Sequence, residues 1–249
     1  MSRTLITRAR ILTLHPGAEF IDGGSLVLED GVVAAILDDP EPQDAHAERI
    51  DAAGALVLPG LVNAHTHAYS TLVRGSGVPV EARDFVQLLQ SFWWRLDLSL
   101  ELEDVRLSAA LAAVEGLRLG VTTVFDHHAS YGCIDGALDA VAAGLELAGQ
   151  RGVLCFEVSD RRGAHAARAA LAENERYAGQ ARRLPFRLGS MLGLHASFTL
   201  ADETLAAAEE LARRCNLRAH IHAAEDVVDR VAGARDGSGV VERLERFGL

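Results

Sequence analysis

From residue 61 onward, short apolar runs alternate with longer stretches of helical periodicity. This alternation restricts the fold more than any other feature of the chain. The short runs fall at residues 61–64, 121–125, 153–158, 188–194 and 217–221. Residues 103–119 carry apolar side chains at helical spacing and stop before Gly120, a residue type suited to the left-handed conformation that ends helices. Residues 134–148 stop in the same way before Gly149, and residues 164–183 form an Ala- and Arg-rich helix. Thr199 is expected to cap a further helix that reaches about Arg214, with Asp202 three residues on closing a capping box. One last helix is expected over 226–247, weakened in the middle by Gly237 and Gly239. Strands alternating with helices predict βα units and a parallel sheet. Five such strands can be counted, whereas a closed (β/α) barrel takes eight. An open doubly wound sheet is the rival architecture.

Residues 1–57 have a different texture. Apolar runs at 4–14, 25–28 and 32–37 read as strands, and Asp30-Gly31 between the last two is a hairpin signal. The expected organisation is a small β domain over 1–57, followed by the α/β region 58–249.

Composition narrows the function classes. The chain has 249 residues, 49% of them hydrophobic, enough for a sizeable core. Its formal charge of −11 opposes binding to nucleic acid or to an anionic membrane surface. Cys133, Cys155 and Cys215 are few and scattered, which argues against a disulfide framework or a thiolate zinc site. The N-terminus has no signal-peptide pattern, and no apolar run has the length of a membrane span. A soluble, cytoplasmic protein is expected. All 24 Lys and Arg positions are arginine.

The chemistry-bearing residues cluster at the ends of the expected strands. In Asn63-Ala64-His65-Thr66-His67 the two histidines lie two residues apart, so a strand presents both on one face, where they can reach a single cation. Two unrelated surface histidines would show the same spacing. In His220-Ile221-His222-Ala223-Ala224-Glu225 another strand ends in histidine, with a carboxylate just beyond. Glu225 could move protons beside a metal-activated water, or simply sit in the first turn of a helix and favour its dipole. His220 reads as a core or supporting histidine. His195 ends the fourth strand, and Asp126-His127-His128 ends the second. Either of the latter histidines could line a pocket, with His128 preferred. Phe85, Phe92, Trp93 and Trp94 fall in an expected helix over 82–96 that could wall a pocket against a flat ring or pack as an ordinary helix.

In combination, Pro59-Gly60-Leu61-Val62-Asn63-Ala64-His65-Thr66-His67, the following Ala68-Tyr69-Ser70-Thr71-Leu72-Val73-Arg74-Gly75, Gly120-Val121-Thr122-Thr123-Val124-Phe125-Asp126-His127-His128 and Gly193-Leu194-His195-Ala196-Ser197-Phe198-Thr199 resemble the amidohydrolase superfamily. The resemblance covers nearly the whole chain. It points to the branch of cytosine and guanine deaminases and triazine chlorohydrolases, nearest to the SsnA-type aminohydrolases. It implies a TIM-type (β/α) barrel, about five of its eight units being recognisable here, preceded by a small β-sandwich domain. It implies one divalent metal ion, zinc or else iron, held by His65, His67 and His222, with Glu225 as the catalytic proton carrier and His195 and His128 contacting substrate. Some members bridge two metals with a carboxylated lysine at the position of His195. A chain without lysine cannot, so a single-metal site is expected. The implied reaction is hydrolytic deamination of a purine- or pyrimidine-like heterocycle, with chloride or an alkylamine as alternative leaving groups.

The resemblance also implies an aspartate after an eighth strand and a histidine after a sixth. Neither strand can be counted here. This polypeptide alone is therefore expected to be inactive or very weak, and to associate with itself or another chain through an open barrel edge. A non-catalytic metal-binding derivative and one half of a split enzyme are the alternatives.

Overall fold

The computed structural model describes residues 2–17, 20–183, 187–233 and 239–249. The chain divides into two compact units, Met1–Gly60 and Leu61–Leu249.

In the first unit, β1 (Arg3–Leu12), β2 (Phe20–Glu29), β3 (Val32–Leu37), β4 (Glu48–Asp51) and β5 (Leu56–Val57) form one five-stranded sheet. The Asp30-Gly31 signal is realised. β2 and β3 pair antiparallel, and both turn residues have positive φ (48° and 86°), as a two-residue hairpin turn with matching twist requires. β4 and β5 run parallel to β1. The small N-terminal β domain implied by the resemblance is present, with its five strands joined in one hydrogen-bonded sheet. Its core is small, with Ala9, Ile11 and Leu26 buried together, while Val32, Val33 and Ile36 on β3 are exposed.

The second unit is α/β. β6 (Leu61–Thr66), β7 (Val121–His128), β8 (Arg151–Val158), β9 (Leu188–Ser190), β10 (Leu192–Ala196) and β11 (Ala219–His222) make a parallel sheet in the order β11-β10-β8-β7-β6, with β9 also pairing β8. The five expected strands are present in sequential order, and the fourth is interrupted at Met191 into β9 and β10. Helices fill the crossovers. α1 (Phe85–Leu88) and α2 (Trp94–Ser99) follow β6, α3 (Leu102–Arg118) precedes β7, α4 (Ala137–Ala148) precedes β8, α5 (Ala164–Ala181) follows β8, and α6 (Asp202–Cys215) precedes β11. α7 (Val227–Gly233) and α8 (Val240–Arg246) replace the single last helix. Gly237 lies outside the described residues, and Gly239 is the residue before α8. Leu154, Phe156, Leu192 and Leu194 from the sheet pack with Leu138, Leu145, Tyr177 and Leu205 from the helices. α3 and α4 approach closely because Gly144 has no Cβ, and a Cβ there would collide with the Arg106 carbonyl.

Two local expectations change. The helix expected over 82–96 contains a π-helical turn, Leu89–Trp93, between α1 and α2. Thr199 does not cap α6. The N-cap of that helix is Ala201, whose N–H donates to Asp160 Oδ2 at 2.8 Å, while Thr204 donates to Asp160 Oδ1 at 2.9 Å. The Asp160 carboxylate, at the start of the 3₁₀ turn Asp160–Arg162, thus binds the N-cap N–H and the Thr204 hydroxyl, and the Thr199 hydroxyl bonds elsewhere.

Candidate metal centre and cleft

β6 and β11 are the two ends of the sheet order, yet the sheet curves so that their C-terminal histidines meet over its concave face. His65 and His67 come from the end of β6, and His222 from the end of β11. The Nε2 atoms form a nearly equilateral triangle: His65 to His67 3.1 Å, His67 to His222 3.1 Å, His222 to His65 3.2 Å. A tetrahedral ion with zinc–nitrogen bonds near 2.0–2.1 Å would separate its ligands by about 3.3 Å. Three imidazoles fit a small divalent cation at that spacing.

The other ring nitrogens settle which nitrogen is offered. His67 Nδ1 lies 2.7 Å from the His127 carbonyl, and His222 Nδ1 lies 2.9 Å from the His195 carbonyl. A carbonyl only accepts, so both Nδ1 atoms carry the proton and both Nε2 atoms present lone pairs. His65 Nδ1 lies 2.8 Å from His220 Nε2, which gives His220 a supporting role beside His65. Burial, and then the neighbouring His67, His222 and His220, lower the His65 pKa to about 4. Burial lowers His67 as well. Unprotonated imidazoles are the form that ligates a metal.

Beneath the triangle, His127 is fully buried and reaches across the concave face, donating Nε2–H to Leu194 O (3.0 Å). Its Nδ1 faces Glu157 Oε2 at 3.7 Å. Burial drives its pKa well down. His128 is also fully buried, with Nε2 2.9 Å from Ser130 Oγ and its ring against Tyr69 and Phe156. It is not among the residues that line the cleft. Sequence preference between the two adjacent histidines could not anticipate this, because it depends on which face of β7 lies under the triangle.

A cleft of about 240 Å³ opens beside the triangle, lined by His67 and His222, by His195 and Glu225, and by Phe85, Trp93 and Trp94. His195 is 5% exposed, and burial lowers its pKa to about 4. Glu225 is exposed at the rim. Its loop is pinned by Asp229, whose Oδ2 accepts from Ala224 N (2.6 Å) and whose Oδ1 accepts from Phe198 N (3.1 Å). Ala224 has φ +56°, a strained conformation for a residue with a Cβ, held directly before Glu225.

A second cluster in the same wall escaped sequence reading. Arg161, 3% exposed, pairs with both Asp97 and Glu157 and stacks over Tyr131 at 4.2 Å. Burial raises the Asp97 pKa to about 6 against the pull of Arg161. Burial acts to raise Glu157 too, but His195, Arg161 and His127 hold it well below the usual range. The three residues are 64 and 4 positions apart in the chain (Asp97 to Arg161, Glu157 to Arg161), so no local motif signals them.

The chain is 31% identical to a 5′-deoxyadenosine deaminase of Methanosarcina mazei, over 100% of its own length and 55% of the relative's. It is 32% identical to a 5-methylthioadenosine/S-adenosylhomocysteine deaminase of Symbiobacterium thermophilum, over 96% and 53%. It spans about half the length of the curated relatives it matches. Among solved structures, an adenosine deaminase from Xanthomonas campestris with bound zinc superposes with a TM-score of 0.77 at 25% identity, over 100% of this chain and 55% of that one. A guanine deaminase from C. acetobutylicum shares the fold, with a TM-score of 0.82 at 12% identity, over 100% and 60%. The family model for amidohydrolases matches residues 56–248, and the chain belongs to the amidohydrolase family.

Proposed function

We propose that the Leu61–Leu249 unit binds one divalent cation, zinc in preference to iron, through His65, His67 and His222, and that it serves the hydrolytic deamination of an adenosine-like heterocycle. The observation that carries this reading is the triangle of three Nε2 atoms at 3.1–3.2 Å, with backbone carbonyls fixing lone pairs on those of His67 and His222. The lone pairs of His67 and His222 cannot satisfy one another, and a cation satisfies both while taking His65 Nε2 as a third ligand. The zinc in the Xanthomonas relative and the adenosine-type substrates named for the M. mazei and S. thermophilum relatives support the choice of metal and substrate class.

When bound, the ion acidifies a water at neutral pH. This chain's own residues supply the proton carrier and the pocket wall. Glu225, at the rim beyond His222, takes a proton from the water and delivers it to the ring nitrogen next to the carbon under attack. That carbon gains oxygen, its amino group departs as ammonia with the second proton, and the product is a lactam. Phe85, Trp93 and Trp94 offer flat apolar faces to a planar ring, and burying the ring there excludes bulk water.

The test is metal analysis of the purified chain, followed by an ammonia-release assay with 5′-deoxyadenosine. Stoichiometric zinc that disappears in His65→Ala/His67→Ala is expected, with ammonia formed only by the metal-loaded protein and at a very low rate, since the aspartate and histidine that the resemblance places on later strands are not among these residues. Equal metal content in both proteins would sink the metal assignment. Full metal with no ammonia release would sink the reaction assigned to this chain.

A further inference from the structure

We propose that Asp229 is the positioning residue for the proton carrier Glu225. Its buried carboxylate ties the loop after β11 to the turn after β10, and so holds Ala224 in the backbone conformation that brings Glu225 to the cleft. The proposal rests on the role given to Glu225 above, and it adds a residue that is not part of the cleft lining.

Only Ala223 and Ala224 separate the ligand His222 from Glu225. β11 ends at His222, and Ala224 then takes φ +56°. That left-handed conformation is unfavourable for a residue with a Cβ, so it persists only where other contacts enforce it. Asp229 supplies the contact. Its Oδ2 accepts from Ala224 N at 2.6 Å, and its Oδ1 accepts from Phe198 N at 3.1 Å. The residue is 0% exposed, so water does not compete for either bond.

The carboxylate is not spent on its own helix. α7 is capped by Asp226, whose Oδ1 accepts from Val228 N at 3.0 Å and whose carbonyl accepts from Asp229 N at 3.1 Å. Both oxygens of Asp229 are therefore free to bridge two loops that are distant in the chain.

The far side of the bridge is a firm reference. Ser197–Thr199 form a 3₁₀ turn directly after β10. Arg243, from α8, donates to Ser197 O at 2.6 Å, to Ser197 Oγ at 2.8 Å and to Leu200 O at 2.9 Å. Just before this turn, the His195 carbonyl accepts from Nδ1 of His222. The end of β10 thus orients the metal ligand through a carbonyl and the proton carrier through Asp229. The spacing of the two groups is fixed by one turn, beyond what the short link between them imposes.

Hydrogen exchange followed by NMR on the full zinc-loaded chain reads the bridge without turnover. The amides of Ala224 and Phe198 are expected to be protected together in the wild type. Asp229→Asn keeps the shape but presents one accepting oxygen and one NH2 donor, so one of the two amides loses its acceptor. Exchange there should accelerate by about tenfold or more, the worth of a hydrogen bond to a charged group, with zinc content unchanged. Ammonia release from 5′-deoxyadenosine reads the consequence. Asp229→Asn should lower kcat by about tenfold to a hundredfold with KM within about twofold, the pattern of a misplaced catalytic group. Adding Ala224→Gly should recover most of that loss, because glycine takes a positive φ without a Cβ penalty. A residue needed only for folding would not be rescued by a glycine in a neighbouring loop. Unchanged exchange at both amides in Asp229→Asn overturns the proposal, and so does a lowered kcat that Ala224→Gly leaves unrestored. If the wild type forms no ammonia, the deamination reading falls, and the exchange data still support or overturn the bridge. If Asp229→Asn does not fold, joint protection of the two amides in the wild type supports the proposal, and lability of either overturns it.

Discussion

His67 and His222 belong to strands at opposite ends of the sheet order, and their Nε2 atoms are 3.1 Å apart. The curvature of five parallel strands is what closes that distance. If the pair shares a cation with His65, then His222→Ala should lower bound zinc as severely as His65→Ala does, although the two residues are 157 positions apart in the chain. Metal content by mass spectrometry checks this. Retention of a full equivalent by His222→Ala would show that β11 plays no part in the site.

Glu225 lies beyond the triangle and ligates nothing in it. Glu225→Gln is expected to keep its zinc and lose turnover by about 10²- to 10⁴-fold, the usual contribution of a positioned proton carrier. Metal content and ammonia release measured on one preparation separate the two effects. Loss of zinc in this variant would recast Glu225 as a ligand.

Arg161 holds two buried carboxylates. Arg161→Met leaves Asp97 and Glu157 without their cation, and a destabilisation of about 3–5 kcal/mol is expected from urea unfolding, the cost of breaking a buried pair on one side. A change below about 1 kcal/mol would mean that water or another group compensates.

His128 is buried, and burial lowers its pKa to about 3. An unfolded histidine titrates near 6.5, so between these values the unfolded chain binds the extra proton. Its contribution to stability is therefore full above about pH 6.5 and is lost as pH falls toward 3, at up to about 1.4 kcal/mol per pH unit. Asp97 and Asp126, raised by burial to about 6 and 7, act in the opposite direction, so the histidine effect is read as the difference between wild type and His128→Gln in metal-free protein. Wild-type stability should fall relative to the variant between pH 6.5 and 5. Parallel profiles would contradict the burial-driven shift.

Much of this architecture was legible in the chain because it is periodic. The two-residue spacing of His65 and His67, the strand-terminal His222 and the glycines after α3 and α4 are local patterns, and strand and helix geometry translate them directly. Residues whose partners lie far away were not legible. α6 starts at Ala201 rather than Thr199, with the N–H of Ala201 and the Thr204 hydroxyl held by the distant Asp160. Asp97, Glu157 and Arg161 meet only after folding. His127 lies under the triangle and His128 does not, a distinction that depends on the side of β7 facing inward. The π-helical turn at Leu89–Trp93 has no periodic signature distinct from that of an ordinary helix.

The atoms that aim His67 and His222 are the main-chain carbonyls of His127 and His195. Every amino acid supplies that oxygen, so replacing a side chain at either position leaves the pointing atom in place. A deep mutational scan would therefore register what these two side chains do and remain blind to the orienting function beneath them. The aim of the centre is inherited from the path of β7 and β10, and drift in sequence can erode it only by bending those strands.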